Sequence, residues 1–101
     1  MPDKAWKAFE RFIAWVFGGV RRGPDYGDAT GGKNDIIVDD WSIECKLYKR
    51  PTWSVIQQAM KQAEAAAKPD EIPIAIIKKK HDRNMDAVVC MRLEQFKEWF
   101  V

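Results

Sequence analysis

The chain is poor in the residues that mark special environments. Of its 101 residues only two are cysteines, Cys45 and Cys90, both in apolar strand-like runs and with no C-x-x-C or framework spacing. That pattern excludes a disulfide framework and a redox dithiol, and points to a reduced, intracellular setting. The single histidine, His81, lies in a charged run and reads as a surface group rather than a general base. No apolar run approaches the roughly 20 residues of a membrane span. Charges interrupt every apolar stretch near the start, Met1-Pro2-Asp3-Lys4, so neither a signal peptide nor a membrane anchor is expected, and a cytoplasmic location is. Neither sign of charge dominates: 17 Lys and Arg face 15 Asp and Glu, for a net charge of +2 and a pI of about 8.6. If several acids are gathered in one site, the remaining surface is more basic than that total. Internal repeats and low-complexity segments are absent.

Aromatic residues, by contrast, are plentiful, with five Trp and five Phe, enough for one core in a single domain spanning residues 1–101. Trp6, Phe9, Phe12, Ile13, Val16 and Phe17 recur at helical spacing over Asp3 to Phe17, and Gly18-Gly19 is a C-terminal stop. A short strand is expected over Val20 to Arg22, then a loop rich in Gly, Asp and Thr from Gly23 to Lys33. Two strands joined at Asp39-Asp40 follow. A helix is expected from Ser54 to Ala67, with Ser54-x-x-Gln57 as a capping box and Ile56, Ala59, Met60, Ala63 and Ala67 as its apolar stripe. Beyond Pro69, Ile72 to Ile77 reads as a buried strand, Lys78 to Asp86 as a charged turn, Ala87 to Met91 as a strand and Leu93 to Phe100 as a helix. The order α-β-β-β-α-β-β-α implies an α/β fold, a mixed sheet flanked by helices.

The chemistry concentrates in Asn34 to Lys46. Side chains alternate along a strand, so Glu44 and Lys46 share one face, and Trp41, Ile43, Cys45 and Leu47 the other. A symmetric turn at Asp39-Asp40 pairs Val38 with Trp41 and puts Asp35 opposite Glu44. Two carboxylates facing each other across a ladder repel, and a divalent cation would offset that cost. Glu10, at the edge of the first helix's apolar stripe, is placed to reach over the sheet toward them. Three carboxylates suit Mg²⁺, a hard ion that prefers oxygen and keeps several waters, with Mn²⁺ as a substitute. Lys46, roughly 7 Å along the strand from Glu44, can orient or help deprotonate a water and stabilise developing negative charge. Together these groups suit metal-assisted phosphodiester hydrolysis. The register is the sensitive point, because a slip of one residue turns Asp35 to the face opposite Glu44.

Glu-x-Lys on a strand is common by chance; the combination carries the reading. A helix with Glu10, a strand beginning at Asn34-Asp35 and a strand with Glu44-Cys45-Lys46 followed by a helix resembles the PD-(D/E)XK nuclease superfamily over most of the chain. Asn34 stands where that family usually has Pro. The resemblance implies a restriction-endonuclease-like fold, metal binding by Asp35, Glu44 and the Cys45 backbone carbonyl with Glu10 completing the site, and water activation by Lys46. The small size and the Arg- and Gly-rich loop before Asp35 look like archaeal and phage-type Holliday junction resolvases: compact, Mg²⁺-dependent homodimers that make paired nicks in four-way DNA junctions. In the archaeal members a Ser precedes the Asp; here the nearest hydroxyl is Thr30. The rival readings are another small nuclease, nicking flaps or linear duplex, and a catalytically silent DNA-binding module of the same fold.

Candidate DNA contacts are Arg21, Arg22, Thr30, Lys33, Lys49, Arg50, Lys79 and Lys80, which flank predicted strand ends and loops where phosphates dominate affinity. Gln58 and Gln62, one turn apart on the second helix, join them because related nucleases carry a Gln there. Trp15, off the stripe of the first helix, and Trp99 and Phe100 are candidates for a dimer interface.

Overall fold

The computed structural model describes residues 5–21 and 35–101. Among them the order is α1 (Ala5–Phe17), β1 (Val20–Arg21), β2 (Ile36–Ile37), β3 (Trp41–Tyr48), α2 (Trp53–Ala66), β4 (Ile72–Lys79), a 3₁₀ turn at Asn84–Asp86, β5 (Val88–Cys90) and α3 (Leu93–Phe100). The five strands form one mixed sheet in the order β1-β2-β3-β4-β5. β3 and β4 run parallel through eight paired positions, while the other neighbours are antiparallel. The expected alternation of helices and strands is therefore present in an α/β fold.

Both faces of the sheet are covered, which is why β4 is apolar at every position from Ile72 to Ile77 rather than alternating. Phe9, Ile13 and Ala14 of α1 pack on Ile36, Ile43, Ile72, Ile74 and Ile76. On the other face, Ala59 and Met60 of α2 pack on Ala75 and Ile77, and the small Ala59 and Ala63, both fully buried, let the helix approach closely. Buried Ser42 donates from Oγ to the Ala63 carbonyl at 2.6 Å. The Ile43 face thus packs under α1, and the Ser42 and Glu44 face carries α2.

The ends of the elements show local causes. Gly18 adopts φ +73°, and Gly19 N–H donates to Ala14 (2.8 Å) while Gly18 N–H donates to Trp15 (3.2 Å). This is a Schellman stop, which glycine adopts without a Cβ penalty. At α2 the capping residue is Thr52, not Ser54: Thr52 is extended, and its hydroxyl accepts from Val55 N–H at 3.3 Å. Ser54 instead lies inside the first turn. The helix ends at Ala66, so Ala67 is its C-terminal cap rather than part of the stripe. The Lys78 to Asp86 segment is only partly a turn, because β4 continues through Lys79 and Asn84–Asp86 forms the 3₁₀ turn.

Candidate functional site

β2 is short. Its pairing with β3 is recorded at Ile36↔Ile43, the register that puts Asp35 opposite Glu44. Asp35 stands at the start of this pairing, where its backbone N–H donates to the Ile43 carbonyl at 3.3 Å. β3 runs on for five residues past Ile43. Its Cys45 N–H donates to the Asp35 carboxylate (Oδ2) at 2.8 Å, so a side chain takes over where the ladder ends. A strand residue directs its N–H and C=O to the same edge. The Cys45 carbonyl therefore opens on the same side as the Asp35 carboxylate.

A cavity of about 430 Å³ lies along this edge, lined by Trp6, Phe9, Glu10, Asp35 and the unbroken run Glu44 to Tyr48. Consecutive residues of both parities line it, so the site follows the edge of β3, not one face of the sheet. That is how Glu10, from the helix on the Ile43 face, and Glu44, from the opposite face, meet. Trp6 and Tyr48 belong to this site although the sequence reading passed over them. Their spacing carried the signal: Trp6 is one helical turn before Glu10, and Tyr48 is two residues beyond Lys46.

The electrostatics are unusual for carboxylates. Glu10 and Glu44 are both buried. The carboxyl of Glu44 is raised to about 7, by burial first and then by the Asp35 charge, with Lys46 opposing. Glu10 is also raised to about 7, again by burial and then by Asp35, with Arg21 opposing. Asp35 is pushed up by burial, and the Cys45 N–H draws it back down. The Asp35 and Glu44 carboxyls share a hydrogen bond that raises Glu44, the donor, and lowers Asp35, the acceptor. Lys46 Nζ stands 3.4 Å from Glu44. Arg21 Nε stands 3.6 Å from Glu10 and, among the described residues, has no hydrogen-bond partner in its buried position; its guanidinium lies over the Trp6 ring at 5.3 Å. Burial and the surrounding carboxylates push the Cys45 thiol upward, so it is neutral at physiological pH and is no nucleophile.

Comparison with protein-family models, with curated proteins and with solved structures finds no match to this chain. The chemistry is therefore read from the residues themselves.

Among the described residues no group of three His, Cys, Asp or Glu stands arranged to hold a metal ion. Glu10 stands 3.6 Å from Arg21, while Asp35 and Glu44 occupy facing positions. The donor set still fits a hard divalent cation. It consists of two apposed carboxylates, whose neutral forms are favoured chiefly by burial, and a backbone carbonyl on the same edge. Mg²⁺ is commonly held by one or two carboxylates plus waters and phosphate oxygens.

The other candidates are distributed unevenly. Arg21 reaches the site through β1, whose pairing Arg21↔Ile36 sets it beside Asp35. Arg22, Thr30 and Lys33 lie outside the described residues. Lys49 and Arg50 follow β3, Lys79 ends β4 and Lys80 follows it; all four are exposed. Parallel pairing of Tyr48 with Lys79, and the Lys80 N–H bond to the Tyr48 carbonyl at 2.8 Å, bring the two basic pairs together at one end of the sheet. Lys78 is not part of that group, since its Nζ donates to Asn84 Oδ1 at 2.8 Å. On α2, Gln58 and Gln62 are exposed. Gln57 accepts from Arg92 at 2.7 Å.

Proposed function

We propose that this protein is a Mg²⁺-dependent DNA endonuclease of PD-(D/E)XK type with a restriction-endonuclease-like fold, and that it resolves four-way junctions by paired nicking. The observation that carries the reading is the apposition of Asp35 and Glu44, with Lys46 beside Glu44, along the β3 edge that lines a cavity. Isolated buried carboxylates that repel each other cost stability, and a cation between them turns the cost into a binding site.

Asp35, Glu44 and the Cys45 carbonyl would hold the ion, with Glu10 as an outer group. Bound there, Mg²⁺ (or Mn²⁺) supplies charge neutralisation at the scissile phosphate and lowers the pKa of an attacking water. Lys46 orients that water and donates to the phosphate oxygen as charge develops. Arg21 holds Glu10 in place, and the cations at the ends of β3 and β4 position the DNA backbone.

A second copy of the chain would supply the second cut. α3 buries none of its side chains, and Leu93, Phe96, Trp99 and Phe100 are exposed on it. The helix is nevertheless anchored: Arg92 at its start donates to Glu64 at 3.1 and 3.2 Å and to Gln57 at 2.7 Å. An anchored helix with an uncovered apolar surface, next to the edge strand β5, is the surface we assign to the dimer. A two-fold axis makes such a patch self-complementary.

The test is cleavage of a labelled four-way junction and of a linear duplex of the same sequence, with and without Mg²⁺, beside Glu44→Ala. Paired nicks in the junction alone, dependent on Mg²⁺ and on Glu44, are expected. Equal cutting of both substrates would leave a general small nuclease, and metal-independent binding without cleavage a silent DNA-binding module.

A further inference from the structure

Trp53 is the first residue of α2 and is 72% exposed. Its position on the helix is not on the solvent side. Ile56, Met60 and Ala63 lie one, two and three turns further along the same stripe, and Met60 and Ala63 are buried against the sheet. The packed part of the stripe begins with Ile56, and the indole one turn before it is left exposed. An aromatic ring is thereby held at the carboxyl ends of β3 and β4.

That rim is where the exposed cations are. Lys49 and Arg50 precede Trp53 by four and three residues, and Lys79 pairs with Tyr48. Pro51 and Lys79 line one small cavity, which places the segment leading into Trp53 against the end of β4. Tyr48 lines the carboxylate cavity together with Lys46. Tyr48 thus belongs both to the carboxylate cavity and to the sheet end at which Lys79 pairs with it, five residues before Trp53. The strand from Glu44 to Tyr48 covers about 13 Å, roughly four stacked nucleotides. Basic side chains interleaved with exposed aromatic rings suit a single strand, whose phosphates meet the cations and whose bases are free to stack. In an intact duplex the bases are stacked on one another and offer no free face to an indole.

We infer that Trp53 is a stacking platform for an unpaired nucleobase, and that the rim formed by Lys49, Arg50, Lys79 and Lys80 guides a single DNA strand from it to the carboxylate site. The inference rests on the nuclease reading for the destination of that strand, and it names a feature of the substrate: unpaired nucleotides within a few positions of the cut.

Binding tests it without any cleavage. Fluorescence anisotropy of a labelled single-stranded 15-mer and of the blunt duplex of the same sequence would be measured in EDTA for the wild type, Trp53→Ala and Trp53→Phe. The expected result is a Kd for the single strand raised about tenfold in Trp53→Ala, a duplex Kd within about twofold of wild type, and a smaller loss in Trp53→Phe, which keeps a ring. Circular dichroism melts serve as the folding control; a largely exposed side chain leaves the core intact. Equal losses for both probes, no loss for either, or no binding of the single strand by the wild type would overturn the inference. If single-strand binding depends on Trp53 but no DNA is cut with Mg²⁺, the nuclease reading fails and the stacking platform stands.

Discussion

The Asp35 carboxylate accepts a 2.8 Å hydrogen bond from the Cys45 backbone N–H, ten residues away in sequence. It ties the residue just before β2 to the β3 edge, and it holds one acid against another, Glu44. Burial raises both carboxyls, so holding them charged side by side costs the fold stability.

Removing that repulsion should stabilise the protein and inactivate it. Asp35→Asn keeps an oxygen acceptor for the Cys45 N–H and deletes a charge. Its melting temperature at pH 8 without metal should rise by a few degrees, on the scale where about 1 kcal/mol shifts a domain of this size by about 4–8 °C, while Mg²⁺-dependent cleavage is lost. Unchanged or lower stability would show that the carboxylates are not strained. This is the stability–activity trade-off expected of a functional site.

The pH dependence follows from the raised carboxyls. Glu10 and Glu44, at about 7 in the folded protein, start from an ordinary value of 4.5. Between those values the folded state keeps protons that the unfolded chain has released, so the unfolded state binds fewer and stability falls as pH rises. These groups contribute a stability that is present near pH 4.5, lost progressively toward pH 7 and absent above it. Melts in EDTA from pH 5 to 8 should decline across that window. At pH 8, Mg²⁺ should restore part of the loss by mass action, in the wild type and not in Glu44→Ala.

Lys46→Ala should lower the cleavage rate by about 10²–10⁴-fold while leaving DNA binding close to wild type. Lys46→Arg should not restore it, because a planar guanidinium replaces a compact ammonium. Single-turnover cleavage beside a binding measurement separates the two effects.

Gly19 should tolerate no side chain. A Cβ there would come within 2.5 Å of the Ile37 carbonyl oxygen and 2.8 Å of the Val38 Cβ. Gly19→Ala should therefore push β1 away from β2, lowering the melting temperature by several degrees through an overpacking cost of about 1–3 kcal/mol. Since β1 carries Arg21, Glu10 should lose its partner at the same time.

Phe96→Asp should dissolve the dimer without unfolding the chain, because Phe96 is exposed in the single copy. A sizing column should show a shift toward the 11.7 kDa monomer, and junction cleavage should change from paired to single nicks. A wild-type protein that elutes as a monomer at micromolar concentration would remove the basis for paired nicking.

Much of this was legible in the chain. The register that sets Asp35 opposite Glu44 was expected from a symmetric turn at Asp39-Asp40, and the pairing of Ile36 with Ile43 agrees with it. The Gly18-Gly19 stop and the extent of α3 were equally readable from local chemistry. The cap of α2 was not: Thr52 and Ser54 both carry a hydroxyl, and only the extended backbone at Thr52 selects between them.

What the tertiary structure alone decided is where separate segments meet. Parallel pairing of β3 with β4 joins Lys49 and Arg50 to Lys79 and Lys80, thirty residues apart in sequence, because such a ladder aligns the carboxyl ends of both strands. The short β2 moves the site from the face of the sheet to its edge, bringing Glu10 and Glu44 together from opposite sides. Packing of α2 that starts only at Ile56 leaves Trp53, a core residue in pattern, as a surface ring in fact. Side-chain periodicity specifies which face a residue takes. The length of the neighbouring element decides whether anything is there to cover it.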